Sequence, residues 1–389
     1  MSQVEKGSHL LGTATKVGAT AAVAGLVGLG AAAVGAGIYV AKVGMEYEDS
    51  LNVFQSVSHA NADQMKMVGK VAKDLGNDIT LPGKSAADAA MAMTELAKAG
   101  LSVEESMAAA KGVLQLSAAA EVDVGTAANM TAVGLNAFSL SGDQAVRVAD
   151  LLAAAANSSM GEITDMSLAM QQSATVFSQA GISIEDLTTS IALMAQAGVK
   201  GSDAGTSLKT MLMRLSPDTE EAADEFKKLG INIYDADGKM KNYREIIGQI
   251  HDALAPLTQE QRDQATQIIF GTDAVRAANI IFGQSVDKYD AMKEAVTKQG
   301  AAAELAAAKN AGLRGAVDAI RSTVETAAIN LSTILVPALR GLADWVNRVV
   351  MPPLSDFSDK LAEIWERSDL TVSAKFEYSF DAFEQMLED

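Results

Sequence analysis

The chain has 389 residues, of which 49% are hydrophobic but only 5% are aromatic, and alanine is the main apolar residue. These small side chains predict thin helix-on-helix packing instead of a large sheet-based core. The formal net charge of −18 repels phosphate backbones, which disfavours nonspecific binding of nucleic acid and leaves only a local basic patch open. No sequence-specific nucleic acid partner is predicted. Because cysteine is absent and the three histidines are scattered, disulfides, thiolate chemistry and a histidine-rich metal site are excluded. We therefore predict neither enzymatic activity nor a bound cofactor or metal.

Residues 1–44 form a Gly/Ala-rich segment that differs from the rest of the chain. No charged residue occurs from Val17 to Ala41, and a helix over that stretch, at ~1.5 Å per residue, would cross the ~30 Å hydrocarbon layer of a membrane. Gly28 and Gly37 belong to a series of small residues at four-residue spacing, which lets helices approach closely. We predict a membrane-competent or packing helix here. A flexible Gly/Ala segment and a permanent anchor or signal are the alternatives.

Residues 45–300 are predicted to form a compact array of short helices. Four segments begin with a serine that is followed three residues later by Asp, Glu or Gln, which is the pattern of a capping box, and glycines mark helix ends. The predicted starts are Ser85, Ser102, Ser141 and Ser183, and the predicted ends are Gly100, Gly181, Gly198 and Gly230. Between them, apolar residues recur at three- and four-residue intervals, which indicates one buried face per helix.

Two of these helical units match each other along the sequence. Residues 98–105 correspond to residues 179–186, with Ala-Gly before a serine cap in both. Asp123-Val-Gly-Thr likewise corresponds to Asp203-Ala-Gly-Thr. The matches fall at helix boundaries, where chance similarity between Ala-rich sequences is least expected, so they favour an internal helical repeat of stacked units.

One short segment of this region departs from the helical pattern. Ile231–Tyr234 alternates apolar and polar residues and is followed by Asp235, Asp237 and Gly238, which predicts a short strand that enters the turn of a small β-hairpin. The two aspartates do not form a calcium loop, because Ile246 occupies the twelfth position, where such a loop has a carboxylate. A turn is the better interpretation.

Residues 301–389 are predicted to contain a long assembly helix and a C-terminal tail. Apolar residues alternate at spacings of four and three, which is typical of the heptad seam of a long helix. The seam contains Leu313, Val317, Ile320, Val324, Leu331 and Ile334. Self-association through this seam and docking of the helix onto its own domain both remain open. Pro352 and Pro353 are predicted to end the helix, and the alternating residues 372–380 predict an extended tail.

Several stretches of the core resemble a known family in their order and spacing. They are Glu95–Ser102, Ala149–Asn157, Ala197–Thr206 with Leu208–Leu215, Leu229–Met240 and Ile268–Gly271. Together they closely resemble the core region of phage tail tape measure proteins, over roughly residues 45–350. The motif positions that carry this resemblance are Ala99, Gly100, Gly198, Gly205, Leu229, Gly230, Asp235, Asp237, Gly238 and Gly271.

The resemblance implies a structural virion protein of the tail lumen. Such a protein sets tail length, scaffolds polymerisation of the tail tube, and helps the genome to cross the host envelope. The implied partners are the tail tube protein, tail assembly chaperones, distal tail or tail tip proteins, further copies of the chain and the host membrane on ejection. The alternative from another class is a membrane-active toxin or pore-forming protein, in which the Gly/Ala segment is joined to a soluble helical carrier domain. The expected fold class is all-α in either case.

Overall fold

The computed structural model describes residues 39–81, 83–345, 348, 351–371, 374–375, 378–379 and 381–382. The predicted all-α class is confirmed, since these residues form helices and no strand. The helices are α1 (39–58), α2 (Ala62–Gly76), α3 (Ala86–Lys98), α4 (Val103–Ala120), α5 (Val124–Ala137), α6 (Ala145–Asn157), α7 (Ile163–Gln179), α8 (Ile184–Gln196), α9 (Gly201–Arg214), α10 (Glu220–Lys228), α11 (Tyr243–Leu254), α12 (Gln259–Phe282), α13 (Val286–Val296), α14 (Ala301–Lys309), α15 (Leu313–Trp345) and α16 (Met351–Glu366). A short 3-10 helix, Gly142–Gln144, precedes α6.

The predicted helix boundaries are largely confirmed. Ser85 and Ser102 form reciprocal capping boxes at the starts of α3 and α4, and the Ser183 hydroxyl accepts from the backbone N–H of Asp186 at the start of α8. Ser141 instead precedes the 3-10 helix and forms no side-chain cap. The four predicted terminal glycines adopt the left-handed backbone conformation, with φ between 68° and 97°.

The internal repeat is visible in the connections between helices. The α3–α4 turn closes with a hydrogen bond from Leu101 N to Leu96 O of 3.1 Å, and the α7–α8 turn closes with the equivalent bond from Ile182 N to Phe177 O of 3.0 Å. The two Asp-Xaa-Gly-Thr sequences are not equivalent. The first aspartate caps α5, whereas Asp203 is the third residue of α9 and pairs with Arg276.

The chain divides into two compact units, and the larger one comprises Tyr47–Thr326. Its central helices are extensively buried, since 11 of the 18 residues of α4 and 11 of the 13 residues of α8 are buried. The helices of this unit approach each other closely where one of them has a glycine or another small residue at the contact. A Cβ atom added to Gly112 of α4 would lie 2.5 Å from the carbonyl carbon of Ala145, at the start of α6. The predicted thin packing by small residues therefore holds in this unit.

The second unit comprises residues 1–46 and 327–389. Its described part includes the first residues of α1, the C-terminal part of α15, and α16. Helix α15 ends at Trp345, before Pro352 and Pro353, and these prolines lie in the first turn of α16, where the amides lack helical partners in any case. One prediction is wrong here. The described residues between 374 and 382 are helical, not extended, so a two-residue alternation over a short stretch did not decide between helix and strand.

The predicted hairpin is present only as a tight turn. Asp235 N donates to Lys239 O at 2.9 Å, and Tyr234 and Met240 form a single antiparallel bridge. Asp235 Oδ1 also accepts from the backbone N–H groups of Asp237 and Lys239, both at 2.9 Å. The aspartate therefore fixes the turn through its own side chain, and Lys241 N donates to Ile233 O at 2.9 Å on the outer side of the bridge.

No helix of the described residues is both long and apolar enough to cross a membrane. Val17, Gly28 and Gly37 of the predicted membrane-competent segment lie outside the described residues. Ala41, at its end, lies in α1 and is buried. The membrane prediction therefore stays a prediction.

Candidate functional site

The motif residues that carry the family resemblance lie mainly at helix ends. Ala99 and Leu229 are the C-cap residues of α3 and α10, and each is followed by a glycine with positive φ. Gly198 and Gly238 also have positive φ, at 84° and 77°. These residues are spread along the larger unit and do not converge on one pocket. Their shared role is to end helices and to set the turns between them.

Gly205 is the motif residue at a helix crossing. It lies in α9 where this helix packs against α7, and an added Cβ atom would lie 2.2 Å from Ala169 O and 2.8 Å from Ala169 Cα. Real Cβ atoms do not approach backbone atoms so closely. The glycine therefore allows two helix backbones to touch.

Gly271 produces a kink within α12. Its φ of 65° and ψ of −178° are non-helical, although the helix continues on both sides. This backbone conformation is open essentially only to glycine. The kink lets the two halves of α12 follow different directions, and Phe270 before it stacks on Phe282 near its end, with ring centroids 5.4 Å apart.

A buried polar cluster joins α8 to α13. Asp186 Oδ1 accepts from Tyr289 Oη and from Lys293 Nζ, both at 2.6 Å, and Asp186 Oδ2 accepts from Ser183 Oγ at 2.6 Å. Burial, followed by the nearby Asp186 charge, raises the pKa of Tyr289 far above its usual value. The phenol consequently stays protonated and donates. The cluster holds helices together and does not resemble an acid–base pair for catalysis.

Asp150 provides a helix cap across a long sequence separation. This residue of α6 is only 7% exposed, and its carboxylate accepts from Gly300 N at 2.7 Å and from Ala302 N at 3.0 Å, at the start of α14. Gly300 has no side chain to cap that helix itself. The sequence motifs did not predict that Asp150 caps a distant helix. The one indication in the sequence is that Asp150 is the single charged residue within the apolar residues 148–156.

Within the described part of the chain, no group of three or more His, Cys, Asp or Glu side chains could hold a metal ion. An open cleft between α5 and α7 is lined by side chains such as Asn129, Asn136 and Gln171 together with alanines, and contains no candidate nucleophile beside a base.

The most distinctive surface of the described chain is the predicted seam of α15. Its large apolar side chains face solvent: the exposed fractions are 83% for Leu313, 54% for Val317, 65% for Ile320, 49% for Val324 and 55% for Leu331. The side chain of Ile334 lies outside the described part. The larger unit therefore does not cover Leu313, Val317, Ile320 and Val324, which belong to it, in contrast to the interpretation in which the helix docks through this seam onto its own domain.

The comparison with known proteins agrees with the family that the motif positions predict. The family described as phage-related minor tail protein matches residues 69–271. The tape measure protein of Pneumococcus phage Dp-1 is 35% identical over 310 residues, which cover 79% of this chain and 27% of that protein. The probable tape measure protein of Escherichia phage P2 is 29% identical over 353 residues, which cover 89% of this chain and 42% of that protein. No solved structure matches the chain.

The family match covers slightly more than half of the chain and ends at Gly271, the position of the kink in α12. The chain spans less than half of the length of these two relatives. The match includes the motif positions from Ala99 to Gly271, so the family predicted from them is confirmed. The chain belongs to the phage-related minor tail proteins, the family of the phage tape measure proteins to which it is similar.

Proposed function

We propose that the chain is a structural, non-catalytic component of a phage tail and acts as a tape measure protein, which sets tail length and scaffolds the tail tube. The observation that carries this proposal is the 35% identity to a tape measure protein over 79% of the chain. The described architecture is compatible with it, since helices joined by tight turns can present long surfaces for assembly. No observation favours the toxin alternative.

In this proposal the chain lies in the tail lumen of the virion. There it contacts the tail tube protein, while tail assembly chaperones and distal tail or tail tip proteins contact it during assembly. Its net charge of −18 would keep it from binding the genome that follows it through the same lumen. Helix α15 has 33 residues and therefore extends about 50 Å along its axis, at ~1.5 Å per residue. It is the described helix best suited to contribute to a fixed tail length.

Duplicating residues 313–340 in frame tests the ruler role. This insertion of four heptads preserves the phase of the seam, and it should lengthen tails by up to about 42 Å, because an α-helix rises ~1.5 Å per residue. Electron microscopy of purified particles measures the mean tail length. As a control, deletion of the buried helix α4 should yield no tails at all. Viable particles with unchanged tail length in the duplication variant would contradict length control by this helix.

We further propose that the segment Val17–Ala41 enters the host membrane during ejection. The support is its uncharged length, flanked by Lys16 and Lys42. The double variant Gly28→Asp/Val34→Asp should assemble normally but lose infectivity, since each charge costs about 2.5–3.5 kcal/mol on membrane insertion scales. Particle yield and plaque counts measure the two effects separately. The conservative variant Gly28→Ala/Val34→Ala should behave like the wild type, and normal infectivity of the aspartate variant would refute the membrane role.

A further inference from the structure

Two open clefts adjoin each other on the larger unit, at the C-terminal ends of its helices. The first lies between α5 and α7, beside the end of α3. The second is bounded by the ends of α7 and α9 and by the turn between Tyr234 and Met240. Each cleft has a volume of about 630 Å³. Gln179 lines both of them, so they meet at the end of α7.

The internal repeat relates the two clefts. Three pairs of lining residues are separated by 80 or 81 residues, which is also the separation of the matching helix boundaries. They are Ala99 and Ala180, Val133 and Met213, and Asn136 and Ser216. The C-terminal parts of α5 and α9 therefore present equivalent positions to the two clefts. Stacked helical repeats form extended binding surfaces in this way, since each unit repeats the surface of the unit before it.

The first cleft offers amide side chains that can pair with a polypeptide main chain. Asn129, Gln171 and Gln179 are exposed, and within the described part of the chain their amides make no hydrogen bond. An amide side chain both donates and accepts, as a peptide unit does. A helix satisfies its own backbone groups, whereas an extended segment leaves them free for such partners. An extended segment therefore matches the chemistry of this cleft.

The second cleft adds an apolar contact and positive charge. Met213 is 60% exposed, and Lys239 is the one charged side chain among the described residues that line the cleft. Lys209, the counterpart of Asn129 in the repeat, lies four residues before Met213 and so on the same face of α9. Neither lysine has an ion-pair partner among the described residues. In a chain of net charge −18, an apolar cleft beside two such lysines favours a partner that is both acidic and apolar.

We propose that the two clefts form one groove for an extended segment of a partner protein that carries a carboxylate beside an apolar side chain. Its main chain pairs with the amides of the first cleft, while the apolar side chain contacts Met213 and the carboxylate faces Lys239. Packed helices lie about 8–10 Å apart and an extended chain advances about 3.3 Å per residue, so roughly three residues separate the two clefts. A segment of about eight or nine residues spans the three helix intervals from α3 to the turn.

Selection of random peptides on the immobilised full chain tests the chemistry of the occupant. A peptide length of about 12 residues slightly exceeds the length of the groove. We expect the enriched peptides to carry Asp or Glu close to Leu, Met or Phe. At physiological ionic strength charges are screened beyond about 8 Å, so the lysines of the groove and not the net charge of −18 decide which peptides bind. Enrichment of basic peptides, or no enrichment at all, would overturn the proposal.

Charge reversal at Lys239 tests the location of the site. Fluorescence anisotropy of the most enriched peptide measures its dissociation constant. Lys239→Glu should weaken binding about 10-fold, because an attraction becomes a repulsion, and a peptide with Lys in place of its acidic residue should prefer this variant to the wild type. The matched control Lys288→Glu makes the same charge change at an exposed residue of α13 that lines neither cleft, and should bind like the wild type. Equal dissociation constants for the two variants would refute the site.

The double variant Asn129→Ala/Gln171→Ala tests whether the occupant continues into the first cleft. Both side chains are exposed, so the helices should stay folded, which circular dichroism verifies. We expect about 10-fold weaker binding of the full peptide and unchanged binding of a shortened peptide that keeps only the acidic half. Equal effects on the two peptides would contradict a continuous groove. None of these results bears on the tail-length experiment, because the duplication in α15 measures length in whole particles.

Discussion

Replacing Gly205 by alanine is expected to destabilise the core by about 3 kcal/mol, although the change adds only one methyl group. The new Cβ atom would meet Ala169 O at 2.2 Å and Ala169 Cα at 2.8 Å. Both of these are backbone atoms of α7, so no side-chain rotation can relieve the overlap. Helices α7 and α9 must move apart, and the contacts along their crossing weaken together.

A second glycine provides the matched control. Gly69 lies within α2, and its added Cβ atom would meet Tyr47 Oη at 3.5 Å and Leu51 Cδ1 at 3.9 Å, which are ordinary contacts. Gly69→Ala should therefore stabilise the chain by about 0.5–1 kcal/mol, because alanine has the higher helix propensity. Urea unfolding of the full chain followed by circular dichroism measures both free energies of unfolding. Stabilisation of the chain by both variants would show that helix propensity, not the close approach, decides the result.

The helix boundaries could be predicted because the interactions that set them are local. A serine and a carboxylate three residues later can satisfy each other's backbone groups without any distant partner, as Ser102 and Glu105 do here. Gly100 and Gly230 likewise end helices through their own backbone freedom. The motif glycines that carry the family resemblance lie at such positions, which is why sequence similarity and local structure agree.

The partners of these helices could not be predicted, because they depend on residues far apart in the chain. Nothing near Asp186 in sequence indicates Tyr289 or Lys293, its buried partners on α13. The docking face of α15 is a second example. Its apolar stripe indicates a buried face, yet the core contacts the small and polar face that includes Ser322 and Thr326. The periodicity of apolar residues identifies the helix face whose burial is favourable. It does not show whether the same chain or another one covers that face.

The replacement Asp150→Ala is expected to cost about 3 kcal/mol and to release the start of α14. The carboxylate is the acceptor for two backbone donors, Gly300 N at 2.7 Å and Ala302 N at 3.0 Å. Ala302 is fully buried, so its N–H would lose its partner where water does not readily replace it. The negative charge also stabilises the positive end of the α14 dipole, and that contribution would be lost as well.

Hydrogen exchange distinguishes this cap from an ordinary one. In Asp150→Ala, the amides of α14 should lose protection more strongly than those of α6, which carries the substitution, because the broken contacts lie at the start of α14. Asp150→Asn keeps one carbonyl oxygen and should lose about half as much stability. Asp123→Ala removes the exposed local cap of α5 and should affect only that helix, since water can replace the lost acceptor at Thr126 N. Uniform loss of protection across the larger unit in Asp150→Ala would instead mean that this carboxylate supports the whole core, with α14 as an inseparable part of it.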